Sequence, residues 1–294
     1  MIPGEELEPG VENAAVLGLG LIGGSFALAL RRNDLARHIA GFDADPQVTQ
    51  RAKQRGAITQ VCATPEEAVY EADLVVLASP VLAMRELLER IAPALKRGAL
   101  VTDTASTKAL VIEWAESLLP AHAAFVGGHP MAGKEYSGID SAEAGLFEGC
   151  VYCLARAQQT SPGAIARLSG IVERLGAHPY ILDAEQHDRL VAGISHLPFL
   201  LSSTMVQTLG AAQDWPEMAR LAASGYRDMS RLAAGSPTMY RDICVTNREA
   251  ILGWLDALEA QLHTLRSYIA INDEALKDYF AQAKYMRDTA VPRQ

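Results

Sequence analysis

From about residue 14 to about residue 182, short β-branched or apolar runs alternate with helical patterns, as expected of a mostly parallel sheet covered by helices. The strand segments fall at 14–17, 39–42, 73–78, 99–102, 124–126 and 151–154. Between them, Pro80 suits the first turn of a helix running to about residue 92, and Thr64 followed by Pro65, Glu66 and Glu67 forms a helix start. Beyond Asp183 the strand signal ends. Helical patterns cover 183–192, 197–209, 217–234, 240–270 and 273–285, with a break or kink expected at Pro198 and a separator at Gly235-Ser236-Pro237. The expected fold is therefore α/β: a doubly wound domain over 1–182, then an all-helical domain over 183–294.

A length of 294 residues accommodates two such domains. The formal charge of -9 gives no electrostatic footprint for nucleic acid or anionic lipid, both of which reward clustered Lys and Arg. The opening MIPGEELEPGVEN has no basic region followed by an apolar run, and the longest apolar stretches are interrupted by Arg, Asp or Pro. The expectation is a soluble cytoplasmic protein. Four cysteines are too few for a disulfide scaffold, and the Cys150-Val-Tyr-Cys153 spacing reads as a buried strand, so no metal site is expected.

The strongest local motif is Gly18-Leu19-Gly20-Leu21-Ile22-Gly23, directly after a strand and opening a helix. In this context Gly18 permits the tight turn, Gly20 lets the backbone approach a pyrophosphate, and Gly23 allows close helix packing. Asp43 stands twenty residues beyond Gly23 at the end of the second strand, where a carboxylate accepts from ribose hydroxyls. The same charge opposes a 2′-phosphate, and Ala44-Asp45-Pro46 supplies no base to offset it, so NAD is the expected cofactor. The domain is of Rossmann type, and Ser79 and Pro80, at a neighbouring strand end, are expected along the cofactor.

Two further loops leave carboxyl strand ends: Asp103–Lys108 and Gly127–Glu135. His129 is the candidate proton acceptor, and Ser106 is the candidate to orient it or to cap a helix starting at Thr107. In the helical half, His196 lies beside Pro198, and Arg227 and Arg231, four apart, suit either a carboxylate or a surface ion-pair face. His187 stands nine positions from His196, half a turn out of phase, and is expected at the surface.

The ordered blocks GLGLIGGS at 18–25, DTASTK at 103–108, GGHPMAGKEYSG at 127–138, SHLP at 195–198 and YRDMSRLAAGSPTMYRDI at 226–243 resemble the prephenate/arogenate dehydrogenase family of tyrosine biosynthesis. The resemblance implies NAD-dependent oxidative decarboxylation of prephenate to 4-hydroxyphenylpyruvate. It assigns His129 to the ring hydroxyl, Ser106 to its orientation and Arg231 to a substrate carboxylate, with His196 and Arg227 lining the same cleft. It also implies a homodimer through the helical domain. Tyr240 stands where many relatives have Trp. Glu135 is placed to touch the side chain that distinguishes arogenate from prephenate, and the alternative substrate is arogenate. Tyrosine, resembling the product, is expected to compete at the active site. Readings of another class are an imine reductase and a non-catalytic NAD-binding regulatory protein. The absence of Lys between residues 135 and 276 weighs against a β-hydroxyacid dehydrogenase.

Overall fold

The computed structural model describes residues 11–134, 136–158, 160–271 and 274–290. Its strands are β1 Val11–Leu17, β2 Ala36–Phe42, β3 Gln60–Val61, β4 Leu74–Leu77, β5 Leu100–Asp103, β6 Ala124–Pro130, β7 Val151–Arg156 and β8 His178–Leu182. They form one sheet in the order β3-β2-β1-β4-β5-β6-β7-β8. All neighbours run parallel except β6 and β7, which pair antiparallel. The helices of this region are α1 Leu21–Arg32, α2 Pro46–Gln54, α3 Pro65–Val69, α4 Ala83–Ile91, α5 Ala109–Leu118 and α6 Pro162–Arg174.

Two apolar cores flank the sheet, as burial on both faces requires of a doubly wound fold. Along β4, Leu74 and Val76 enter one core with Phe26, Leu30 and Ile39, while Val75 and Leu77 enter the other with Leu88 and Ile91. Continuous apolar runs made these strands legible. β3 and β8 escape the same reading because β3 has two residues and β8, His-Pro-Tyr-Ile-Leu, keeps Tyr180 and Ile181 exposed. Thr64 caps α3 through the Glu67 N–H, and the Glu67 carboxylate accepts from the Ala63 N–H 2.8 Å away, as the local sequence predicts. Cys153 is buried in β7, and all four cysteines are free.

The remaining helices are α7 Ala184–Val191, α8 Leu197–Gly210, α9 Trp215–Leu221, α10 Ser224–Ser230, α11 Pro237–Thr246, α12 Arg248–Ile271 and α13 Ala275–Ala290. Pro198 does not separate α7 from α8. A π-helical turn, Ala192–His196, joins them, and this widened turn accommodates the proline without ending the helix. The resulting Ala184–Gly210 stretch is long and apolar enough to cross a membrane by length and composition, which a reading that stops at Pro198 does not count. The helices expected over 217–234 and 240–270 are each divided: Ala222 and Ala223 turn extended, and Asn247 leaves helical geometry at φ -129°.

The chain forms two compact units, Met1–Arg248 and Glu249–Gln294. Within the second, Tyr268 and Tyr279 meet edge-to-face with ring centroids 6.3 Å apart, tying α12 to α13.

A β-carbon on Gly23 would lie 1.9 Å from the Gly18 carbonyl oxygen and 2.9 Å from the Ala78 side chain. Gly23→Ala should therefore push α1 from β1 and β4 and lower stability by about 1–3 kcal/mol. Urea unfolding measures this; an unchanged midpoint would show that the helix shifts without cost.

Candidate active site

The glycine turn between β1 and α1 is built for close backbone approach. Gly18 has φ +93° and packs so tightly on the Ala78–Ser79 backbone that a β-carbon would lie 2.6 Å from the Ala78 carbonyl. Gly20, by contrast, has open space where a β-carbon would be, and it precedes α1 with no side chain capping the helix start. The N–H groups of the first turn are therefore available to a phosphate, and the residues present fit a dinucleotide. Leu19 contributes differently: its side chain is fully buried in the core, and its N–H donates to Asp43 Oδ2 at 2.8 Å. Asp43 Oδ1 accepts from the Asp45 N–H at 3.0 Å. These bonds orient the carboxylate at the end of β2 while leaving it further lone pairs for ribose hydroxyls. Ser79 and Pro80 follow β4 beside the glycine turn, whereas the helix expected to begin at Pro80 begins at Ala83.

His129 lies near the end of β6 and is 8% exposed. Its Nδ1 stands 2.8 Å from Nε2 of His187, and His187 Nδ1 stands 2.8 Å from Oδ1 of Asp188. His187 is fully buried, which corrects its expected surface position. Nine residues of uninterrupted α-helix would set the two histidines half a turn apart, but the π turn that ends at His196 rotates less per residue and brings both inward.

Asp188 accepts from the Lys108 N–H at 2.7 Å and from the Ala109 N–H at 2.9 Å, so a carboxylate on α7 caps the start of α5. Ser106 is therefore not the cap of this helix, because α5 starts three residues later and Ser106 is half-buried in the loop after β5. Beneath this loop the Lys108 ammonium pairs with Asp103 and donates to the Gly128 carbonyl at 2.7 Å, all fully enclosed. Asp103 accepts from the Gly128 N–H at 3.0 Å, so the residue before His129 is held at both its N–H and its C=O. Burial pulls the lysine below its ordinary value, with Asp103 opposing.

Asn247 donates to the Asp188 carbonyl at 2.7 Å and approaches His196 Nδ1 at 3.3 Å. His196 Nε2 is buried with no hydrogen-bond partner among the described residues, an orphan that costs about 1–3 kcal/mol unless a ligand satisfies it. Burial pulls His196 to about 4 and His129 well below its ordinary value, with neighbouring His187 acting in the same direction on both.

Arg227 lies in the last turn of α10 and Arg231 begins the 3-10 turn that follows it directly, both exposed. Tyr240 stacks on Phe199 with centroids 3.9 Å apart, and its hydroxyl donates to the Leu232 carbonyl at 2.5 Å. Glu135 lies outside the described residues. His187, Asp188, Lys108, Asp103 and Asn247 are not singled out as functional by sequence. Of these, Lys108 and Asp103 sit inside the DTASTK block, while the others gain meaning only through contacts 51 to 80 residues distant in sequence.

Because His196 titrates lower when folded, its contribution to stability is complete above the unfolded value near 6.5 and is lost as pH falls toward about 4. The loss over that window should be about 3 kcal/mol from His196, and His129 adds in the same sense. Unfolding free energies at pH values from 7.5 to about 4.5 would show it; a flat profile would contradict the burial argument.

The chain matches the family model for the prephenate dehydrogenase nucleotide-binding domain over residues 26–181 and that for the prephenate dehydrogenase dimerization domain over residues 183–285. It is 37% identical over 280 residues to the prephenate dehydrogenase of Bacillus subtilis, covering 94% of this chain and 76% of that protein. Among solved structures, prephenate dehydrogenase from A. aeolicus in complex with hydroxyphenyl propionate and NAD+ superposes with TM-score 0.87 at 30% identity, covering 94% of this chain and 97% of that one. Synechocystis arogenate dehydrogenase superposes with TM-score 0.81 at 32% identity, covering 95% and 100%. With both halves matched and the identity spread along nearly the whole length, the chain belongs to the prephenate dehydrogenase family, as an NAD-dependent oxidoreductase acting on prephenate.

Proposed function

We propose that within this reaction His129 accepts the proton of the ring hydroxyl, Ser106 orients that hydroxyl, and His196, Arg227 and Arg231 bind the substrate. The observation that carries the proposal is the pair of histidines: one held by its Nδ1, the other buried with an Nε2 that has no partner among the described residues. NAD, when bound, takes up the hydride that leaves the ring carbinol carbon. The hydroxyl proton passes to His129, the bond to the ring carboxylate breaks with its electron pair entering the ring and reaching the ring oxygen, and carbon dioxide leaves; the resulting phenolate takes the proton back from His129, giving 4-hydroxyphenylpyruvate. Lowered basicity keeps His129 neutral at physiological pH, the form able to accept. His196 offers Nε2 as a polar partner inside the site, and arginine supplies the planar fork that suits a carboxylate.

The proposal includes a cofactor seat formed by Gly18, Leu19, Gly20, Leu21, Ile22, Gly23, Asp43, Ser79 and Pro80, with Leu19 acting through its backbone bond to Asp43. It includes a nucleotide-binding domain over 1–182 and a helical substrate and dimerisation domain over 183–294, in line with the ranges of the two family models. Exposed Leu252, Leu262, Ile269 and Ile271 on α12 suit a homodimer contact. A cytoplasmic location, competition by tyrosine at His129 and Arg231, and a role for Glu135 in reading the substrate side chain belong to the same reading. Arogenate is the competing substrate, since the Synechocystis relative bears that name.

Initial NADH or NADPH formation with prephenate and with arogenate, each offered NAD and NADP, tests the reading. Prephenate with NAD should dominate; a dominant arogenate rate would reassign the substrate, and no turnover of either would remove the reaction. His129→Ala should bind NAD normally and lose about 10²-fold or more in kcat, whereas unchanged turnover would remove His129 from the mechanism. Arg231→Ala should raise the KM for prephenate about 10-fold or more and leave that for NAD unchanged. A matching loss for NAD would point to a folding defect instead.

A further inference from the structure

We propose that Asp188 and His187 form a directional relay that holds His129 in the tautomer with its proton on Nδ1, leaving Nε2 as the acceptor. Both are positioning residues, and the inference rests on the reading of His129 as the proton acceptor. Its direction follows from bonds that cannot reverse. Asp188 Oδ1 and Oδ2 accept from the main-chain N–H groups of Lys108 and Ala109, and a main-chain N–H only donates. The carboxylate thus sits at the start of the ten-residue α5 as an acceptor, where the helix dipole favours negative charge.

The contact between Asp188 Oδ1 and His187 Nδ1, 2.8 Å, is then a bond that His187 donates. A neutral imidazole has one N–H, so His187 Nε2 keeps a lone pair. That lone pair faces His129 Nδ1 at 2.8 Å, and His129 must donate across it. With its single proton on Nδ1, His129 keeps the lone pair on Nε2. A free imidazole favours the opposite tautomer, in which Nε2 would be a donor and could not take up a hydroxyl proton; the partner on the other nitrogen decides the matter. The opposite polarity here would require a second proton on His187, which is fully enclosed.

The relay also locks geometry. The two rings meet edge-to-face at 70°, with centroids 5.0 Å apart. Asp188 is held at three points: by the two amides of α5, and at its own carbonyl by Asn247. The backbone just before His129 is separately clamped by Lys108 and Asp103. Ring position and proton position are therefore set by different residues, which makes the second separable by mutation.

The test uses the full-length protein with NAD bound and its histidine ring nitrogens labelled with ¹⁵N. At neutral pH the wild-type spectrum should show His129 protonated at Nδ1 and bare at Nε2; a proton on Nε2 overturns the relay without recourse to any variant. His187→Gln keeps a carbonyl to accept from His129 and an amide to donate to Asp188, and should preserve both tautomer and kcat within about five-fold. His187→Leu removes the acceptor and should mix the tautomers and lower kcat by about 10- to 100-fold, with the KM values for prephenate and NAD within about two-fold. Equal losses in the Gln and Leu variants, or a loss confined to KM, would make His187 merely structural and sink the proposal. If His129→Ala turns over normally, the acceptor reading fails, while the ring spectrum still reports the relay by itself.

Discussion

The buried carboxylate of Asp188 is the joint on which the site depends. It sits on the first helix after the sheet, yet its oxygens cap the helix that follows β5 and its neighbour His187 reaches the end of β6. One charged group thereby connects three elements, α7, α5 and β6. Removing its partners would leave an ionised group without compensation in a dry interior, which is the costliest way to break such a pair. Keeping them supplies alignment, because every bond to this carboxylate comes from a donor of fixed position.

A second buried pair works one layer beneath. Asp103 ends β5 and Lys108 directly precedes α5, and together they grip the peptide preceding His129. A hydrophobic pair of similar volume could fill that space, but it could not hold an N–H and a carbonyl at once. The polar interior here thus provides position more than stability. The cofactor turn follows the opposite strategy, using small residues where backbone must approach backbone and an open position where a phosphate can approach.

His196 shows how the site retains reactivity at some cost in stability. Its Nε2 is enclosed without a partner among the described residues, and its basicity is depressed by the same burial. An unsatisfied polar group of this kind is tolerated where a ligand completes it. The π turn that delivers His196 is itself a departure from regular helix, placed between the two histidines that must both face inward.

The sequence by itself determined the alternating α/β region, the helical region after it, the glycine turn with Asp43, and His129 with its surrounding motif. Each of these is written in local periodicity or in a short ordered block, so nearby residues suffice to read it. The tertiary structure alone decided the antiparallel β7, the edge strand β8, the continuity of the helix through Pro198 and the inward turn of His187. None of these has a local signal: β8 lacks apolar alternation, and the phase of His187 changes with a widened turn that helical periodicity does not register. The partners of His129 likewise lie 58 and more residues away. Spacing could single out His129, but only packing could name the side chains that hold its ring.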